Sequence, residues 1–90
     1  MNNLTLVDLF LNEYWIEKGL SENTVQSYRL DLTALCDWLD KQNLSLETLE
    51  PLDLQQFLGS RLEQGYKATS TARMLSAMRK LFQYLYREKY

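Results

Sequence analysis

Apolar residues recur at helical spacing in four runs of this chain, and Gly19, Pro51 and Gly65 stand at the breaks between them. Val7, Phe10, Leu11 and Tyr14 share one face of a helix predicted over 4–18, which Gly19 stops. Ser21 is placed to cap a second helix, with Glu22 near the positive end of its dipole. Val25, Tyr28, Leu32, Leu35, Cys36 and Leu39 line the apolar side of that helix to about Gln42, and Asn43 suits the turn that follows. Residues 44–50 read as a connector whose Leu44, Leu46 and Leu49 tuck against the core. Pro51 fits the first position of a third helix, where its missing N–H has no intrahelical role. Leu54, Phe57, Leu58 and Leu62 form the apolar face of this helix, and Gly65 ends it. Gly59, inside it, weakens the helix by roughly 1 kcal/mol relative to alanine; a close helix approach and a merely tolerated glycine both account for it. The fourth helix opens at Thr69 or Ser70, reaches about Glu88 and buries Leu75, Met78, Leu81, Phe82 and Leu85. The β-branched residues never alternate, so the expected class is all-α, a bundle of helices joined by short loops.

Composition narrows the chemistry. Ninety residues make one domain, 1–90, with a single modest core. A lone cysteine, Cys36, gives no disulfide framework and fits a reducing compartment. The start, Met1-Asn2-Asn3, lacks the pattern of a signal peptide, and no apolar run is long enough for a membrane span, so a cytoplasmic location is expected. Histidine is absent, which removes the commonest general base and the commonest zinc ligand together. Gly19, Gly59 and Gly65 are too far apart for a phosphate-binding loop. No catalytic constellation is visible, and no cofactor, metal or small-molecule ligand is expected.

Charge is segregated along the chain. Residues 1–60 hold three bases against ten acids, a net of −7, whereas residues 61–90 hold seven bases against two acids, a net of +5. Between residues 64 and 87 stand Lys67, Arg73, Arg79, Lys80 and Arg87 without one carboxylate. At about 100° per residue, Thr69, Ser70, Arg73, Ser76, Ala77, Lys80, Gln83, Tyr84 and Arg87 fall on one side of the fourth helix, with Arg79 at the edge. Small residues let a helix approach DNA closely, and long cations reach phosphates or guanine edges. Residues 66–70 add hydroxyls and free backbone N–H groups suited to a phosphate. The first turns of the second helix add Asn23, Thr24, Gln26, Ser27 and Arg29, although Thr24 also suits the helix start and Arg29 could pair with Asp37 or Glu22. A solvated face is the ordinary explanation of such a stripe, but solvated faces mix signs to gain i,i+4 pairs and this one does not. The residues alone lead to a polyanion partner. Two versions remain open: duplex DNA, or an acidic protein bound by a helical interaction module. Of the arginines, Arg79 is the one expected to support the fold rather than a ligand.

Two stretches carry a resemblance. One is Ser21-Glu22-Asn23-Thr24-Val25-Gln26-Ser27-Tyr28-Arg29-Leu30-Asp31-Leu32, continuing through Leu35 to Trp38 and Leu39. It is similar to the threonine–tyrosine–leucine–tryptophan pattern of the tyrosine recombinases (phage-integrase family), Xer type. The other is Gly65-Tyr66-Lys67-Ala68-Thr69-Ser70 leading into Arg73, Leu75, Ser76, Ala77, Arg79 and Phe82. It resembles that family's arginine–leucine–serine–alanine–arginine–phenylalanine helix. The run at 65–70, followed by Tyr84-Leu85-Tyr86-Arg87-Glu88-Lys89, resembles one of the two Xer subtypes more than the other.

The resemblance implies a SAM-like, core-binding N-terminal domain, an orthogonal bundle of four or five helices forming half of a clamp around DNA. Two helices would face the major groove of a recombination half-site. The matching positions are Lys67, Thr69, Ser70, Arg73, Ser76, Arg79, Lys80 and Arg87, assisted by Asn23, Thr24, Ser27 and Arg29. Family chemistry runs through a phosphotyrosyl intermediate whose catalytic residues lie in a larger C-terminal domain. This chain, which ends at Tyr90 without a histidine, is therefore expected to bind DNA without cutting it. The resemblance further implies a bacterial, nucleoid-associated protein serving chromosome dimer resolution. A second Xer-type recombinase would be its partner in a tetrameric synapse.

Overall fold

The computed structural model describes residues 2–88, so Met1, Tyr90 and Lys89, the last counted among the bases above, lie outside the described residues. Four α-helices follow in order: α1 (Asn3–Lys18), α2 (Glu22–Lys41), α3 (Pro51–Glu63) and α4 (Ala68–Arg87), with a single 3-10 turn at Leu46–Thr48 before α3. The predicted boundaries hold to within about two residues, because the signals that set them are local. Gly19 ends α1 in the left-handed region at φ 60°, its N–H returning to the Trp15 carbonyl. Ser21 accepts from the Thr24 N–H and opens α2. Asn43, at φ 57°, turns the chain after α2. Pro51 is the first residue of α3, which a reciprocal pair between Glu50 and Asp53 caps.

One core joins the four helices and the 3-10 turn. Leu6, Val7, Phe10 and Leu11 from α1 meet Leu32, Leu35 and Leu39 from α2 and Met74, Met78 and Leu81 from α4, all of them closed to water. Phe10 stacks obliquely on Tyr84 at 5.5 Å, and Trp38 on Phe57 at 5.5 Å. Cys36 sits in this core, and burial, reinforced by Asp40 and Asp37, pushes its thiol up to about 12. It is an inert packing residue. Asn3 is a buried polar residue that no sequence pattern announces. Its amide donates to Asp40 and to the Leu44 carbonyl and accepts from the Leu46 N–H, so it ties the start of α1 to the connector after α2.

Two predicted faces are corrected. In α4 the buried face is Met74, Ala77, Met78, Leu81, Tyr84 and Leu85, while Leu75 and Phe82 are only half-buried. The helix packs against α1, α2 and α3, which requires a broad apolar face. Ala77 and Tyr84, assigned above to the polar stripe, supply its second edge. In α3 the end of the apolar face is not Leu62, which is 55% exposed, but Arg61, which is 7% exposed. The aliphatic stem of Arg61 follows Phe57 by one turn, and its guanidinium is roofed by the Tyr66 ring, 4.0 Å away.

Gly59 faces open space: a Cβ built there meets nothing within 4 Å. A close helix approach is therefore not its explanation. Gly59→Ala is expected to stabilise the domain by about 0.5–1 kcal/mol, through higher helix propensity and a less flexible unfolded chain. A thermal midpoint raised by a few degrees in calorimetry is the expected reading.

Candidate nucleic-acid interface

Two long-range contacts clasp α2 to α4. Arg73 donates from Nε and Nη2 to the two carboxylate oxygens of Asp31, at 2.8 and 3.0 Å. Lys80 donates to the Tyr28 hydroxyl at 2.6 Å and lies over that ring. Moving back along α2 from 31 to 28 moves forward along α4 from 73 to 80, so the helices run antiparallel along this seam. Ser76 lies between the two clasps on α4, and Ser27 adjoins them on α2. The start of α2 and the polar stripe of α4 thus share one surface.

Along this surface the sequence-predicted cations divide into two groups. Arg73 is half in water, but its partner Asp31 is 5% exposed. The hydrogen bond to that carboxylate is the main reason the Arg73 pKa lies above the ordinary arginine value. The Lys80 pKa is likewise raised, chiefly by the bond to Tyr28. Arg87 reaches across to α1, donating to both oxygens of Glu17 at 3.2 and 3.3 Å, with Glu13 and Glu88 within 4 Å. That contact raises its pKa as well. Arg29 pairs with Asp8 of α1 rather than with Asp37 or Glu22. The acids of α1 and α2 therefore hold two of the bases that charge segregation had singled out, Arg73 and Arg87, and Arg29 besides.

Lys67 and Arg79 form the other group. Both are exposed, and neither has a carboxylate partner among the described residues. The expectation that Arg79 supports the fold is reversed: Arg73 is tied to a buried acid, and Arg79 is the uncommitted guanidinium.

Helix α4 begins two residues earlier than expected. Lys67 is the capping residue, no side chain closes the cap, and Thr69 and Ser70 fall inside the first turn. First-turn N–H groups have no intrahelical acceptor, so those of Ala68, Thr69 and Ser70 stand at the positive end of the helix dipole beside the Lys67 ammonium. That end can hold an anion. Thr69 and Ser76 are exposed and Ser70 half-buried; on α2, Asn23 is exposed and Ser27 half-buried. Thr24 serves the helix start, 3.0 Å from the Ser21 hydroxyl. No group of three or more acids, cysteines or histidines among the described residues could hold a metal ion, and no helix is long and apolar enough to cross a membrane.

Comparison with known proteins gives a consistent result. Residues 7–89 match the family described as phage integrase, N-terminal SAM-like domain. The chain is 88% identical over its whole length to tyrosine recombinase XerD of Haemophilus influenzae and 72% identical to that of Pasteurella multocida. It is 61% identical to that of Yersinia pestis over 93% of its length. It spans 30% of the length of the first two relatives and 28% of the third. Of the two Xer subtypes, XerD is the one that the sequence of 65–70 and 84–89 favours.

Proposed function

The chain belongs to the phage integrase family, as its N-terminal SAM-like domain of XerD-like type, and from that premise we propose that it binds the duplex DNA of a recombination half-site. The observation that carries this reading is the acid-free exposed stripe of α4, with two uncommitted cations and an open helix start, locked against the beginning of α2. Lys67 and Arg79 neutralise phosphates. The first-turn N–H groups of α4 take a phosphate oxygen beside Lys67. Thr69, Ser70 and Ser76, short enough to let the helix enter the major groove, contact backbone or base edges, and Asn23, Thr24 and Ser27 approach from α2. Arg73, Lys80, Arg87 and Arg29 add to the positive field, but their carboxylate and hydroxyl partners make them first of all the braces that hold α4 in register.

The domain alone acts as half of a clamp. A module of this size covers roughly 600–1,000 Å² of its own surface on DNA, so its affinity is modest and strongly salt-dependent. It binds without cutting. Strand exchange belongs to the whole recombinase, which works in the bacterial cytoplasm on the nucleoid. There it acts with a second, XerC-like recombinase in a four-subunit synapse that resolves chromosome dimers.

Fluorescence anisotropy against a half-site duplex and a scrambled duplex, across a salt series, tests this. The expected result is a steep linear fall of log affinity with log salt and a clear preference for the half-site. Binding to neither duplex at low salt would return the basic face to the other candidate, an acidic protein.

A further inference from the structure

Among the described residues Arg61 is the base most withdrawn from water, and the burial reaches its guanidinium at Nε. The residue is 7% exposed, and its Nε is buried without a hydrogen-bond acceptor. Tyr66 covers one face of the group at 4.0 Å, and Phe57 lies 5.9 Å from it. No ion pair involves Arg61 among the described residues. Stacking offsets part of the desolvation of a cation but uses only the faces of the plane, whereas the N–H donors lie in its edge. Buried donors without acceptors are rare because they are costly. Arg61, which carries one at Nε, lines a cavity of about 210 Å³ between the C-terminal half of α2 and the end of α3, bordered also by Trp38, Asp37 and Lys41.

We propose that this cavity is a docking site for a single carboxylate side chain, aspartate or glutamate, on an extended peptide segment of a protein partner. The charges argue for one carboxylate. Arg61 and Lys41 against Asp37 leave a net of one positive charge, which one carboxylate neutralises. The planar edge of a guanidinium matches a carboxylate bidentately, and Trp38 offers an apolar wall to the neighbouring residue of the peptide. Tyr66 is half-exposed in the loop between α3 and α4, so its ring can turn aside and open the face of the guanidinium that it covers. Duplex DNA fits less well. A recessed guanidinium beneath a tyrosine is out of reach of a stiff phosphate backbone, and Asp37 at the rim repels a run of negative charge. This site stands apart from the seam between α2 and α4 and does not depend on the function proposed above.

The test is a titration of the 90-residue chain with acetyl-Leu-Glu-Leu-amide, followed by NMR at the Arg61 Nε–H and the Trp38 indole N–H. Saturable shifts of both signals are expected, weakened at least about tenfold when glutamine replaces glutamate, because the charge-assisted pair is lost. Arg61→Lys keeps the charge but loses the planar fork, and should abolish the Trp38 shift while the thermal midpoint reports that the variant is folded. The glutamate–glutamine comparison on the unaltered chain decides the matter even if that variant does not fold. Equal shifts with both peptides, no shift at millimolar peptide, or shifts with half-site duplex alone would each overturn the proposal.

Discussion

Lys67→Glu combined with Arg79→Glu is expected to lower affinity for a half-site duplex by about a hundredfold at 0.1 M salt while leaving the thermal midpoint within a degree or two. Both side chains are exposed and have no carboxylate partner among the described residues, so their removal takes nothing from the fold; surface changes of that kind stay within about 0.5 kcal/mol. Their effect on DNA is large for the same reason. Each neutralised phosphate contributes roughly 0.9 to the slope of log affinity on log salt, or about eightfold per contact between 0.1 M and 1 M salt. Two lost contacts give about sixtyfold, and two introduced carboxylates add repulsion. The log–log salt slope should fall by about 2. An unchanged slope would mean that neither residue meets a phosphate.

Arg73→Ala should behave in the opposite way, as a stability mutant. Asp31 is 5% exposed and receives both of its hydrogen bonds from Arg73. Truncating the arginine strands a carboxylate inside the α2–α4 seam. Breaking a fully buried pair costs about 3–5 kcal/mol. Because the Arg73 side chain is 51% exposed, solvent already screens part of this interaction, so about 2–3 kcal/mol is expected, a drop of roughly 10 °C or more in a domain this small. Asp31→Ala removes the buried charge instead and leaves a half-exposed guanidinium that turns to water, so it should cost clearly less, about 1 kcal/mol. The double variant should be more stable than Arg73→Ala alone. Thermal melts of the three variants check this order. The reverse order would mean that Asp31 does not depend on its partner. One practical consequence is that any loss of DNA binding in an Arg73 variant must be separated from partial unfolding.

The helices were legible because their ends are written locally. Ser21, Gly19 and Pro51 act within a turn of their own positions, and each appears where the spacing places it. The partners of the charges were not legible. Arg73 and Asp31 are 42 residues apart, and Arg87 and Glu17 are 70 apart. Composition reveals the excess of bases near the C-terminus but not which of them the acids of α1 and α2 will claim. For this reason Arg79 was the arginine that looked structural, whereas folding leaves it exposed without a carboxylate partner among the described residues and ties Arg73 to Asp31. Ala77 and Tyr84 were ambiguous in another way, since a small residue and an amphipathic ring fit a DNA-facing stripe and a core edge equally well; packing against three helices decided for the core. Arg61 gave no signal at all. A base one turn after Phe57 reads as surface until Tyr66, five positions on, folds over it. Tyr66 itself was visible in the sequence, but only as part of the approach to α4.

Amide shift mapping of the chain, titrated with a half-site duplex at low salt, reads out which surface meets DNA. If α4 and the start of α2 face the groove together, the largest shifts will fall on residues 67–70, on Ser76 and Arg79, and on Asn23 to Ser27. The solvent-facing side of α1 and the C-terminal half of α2 will stay still. Shifts centred instead on α1 or α3, with residues 67–79 unmoved, would mean that α4 is not the DNA-facing helix.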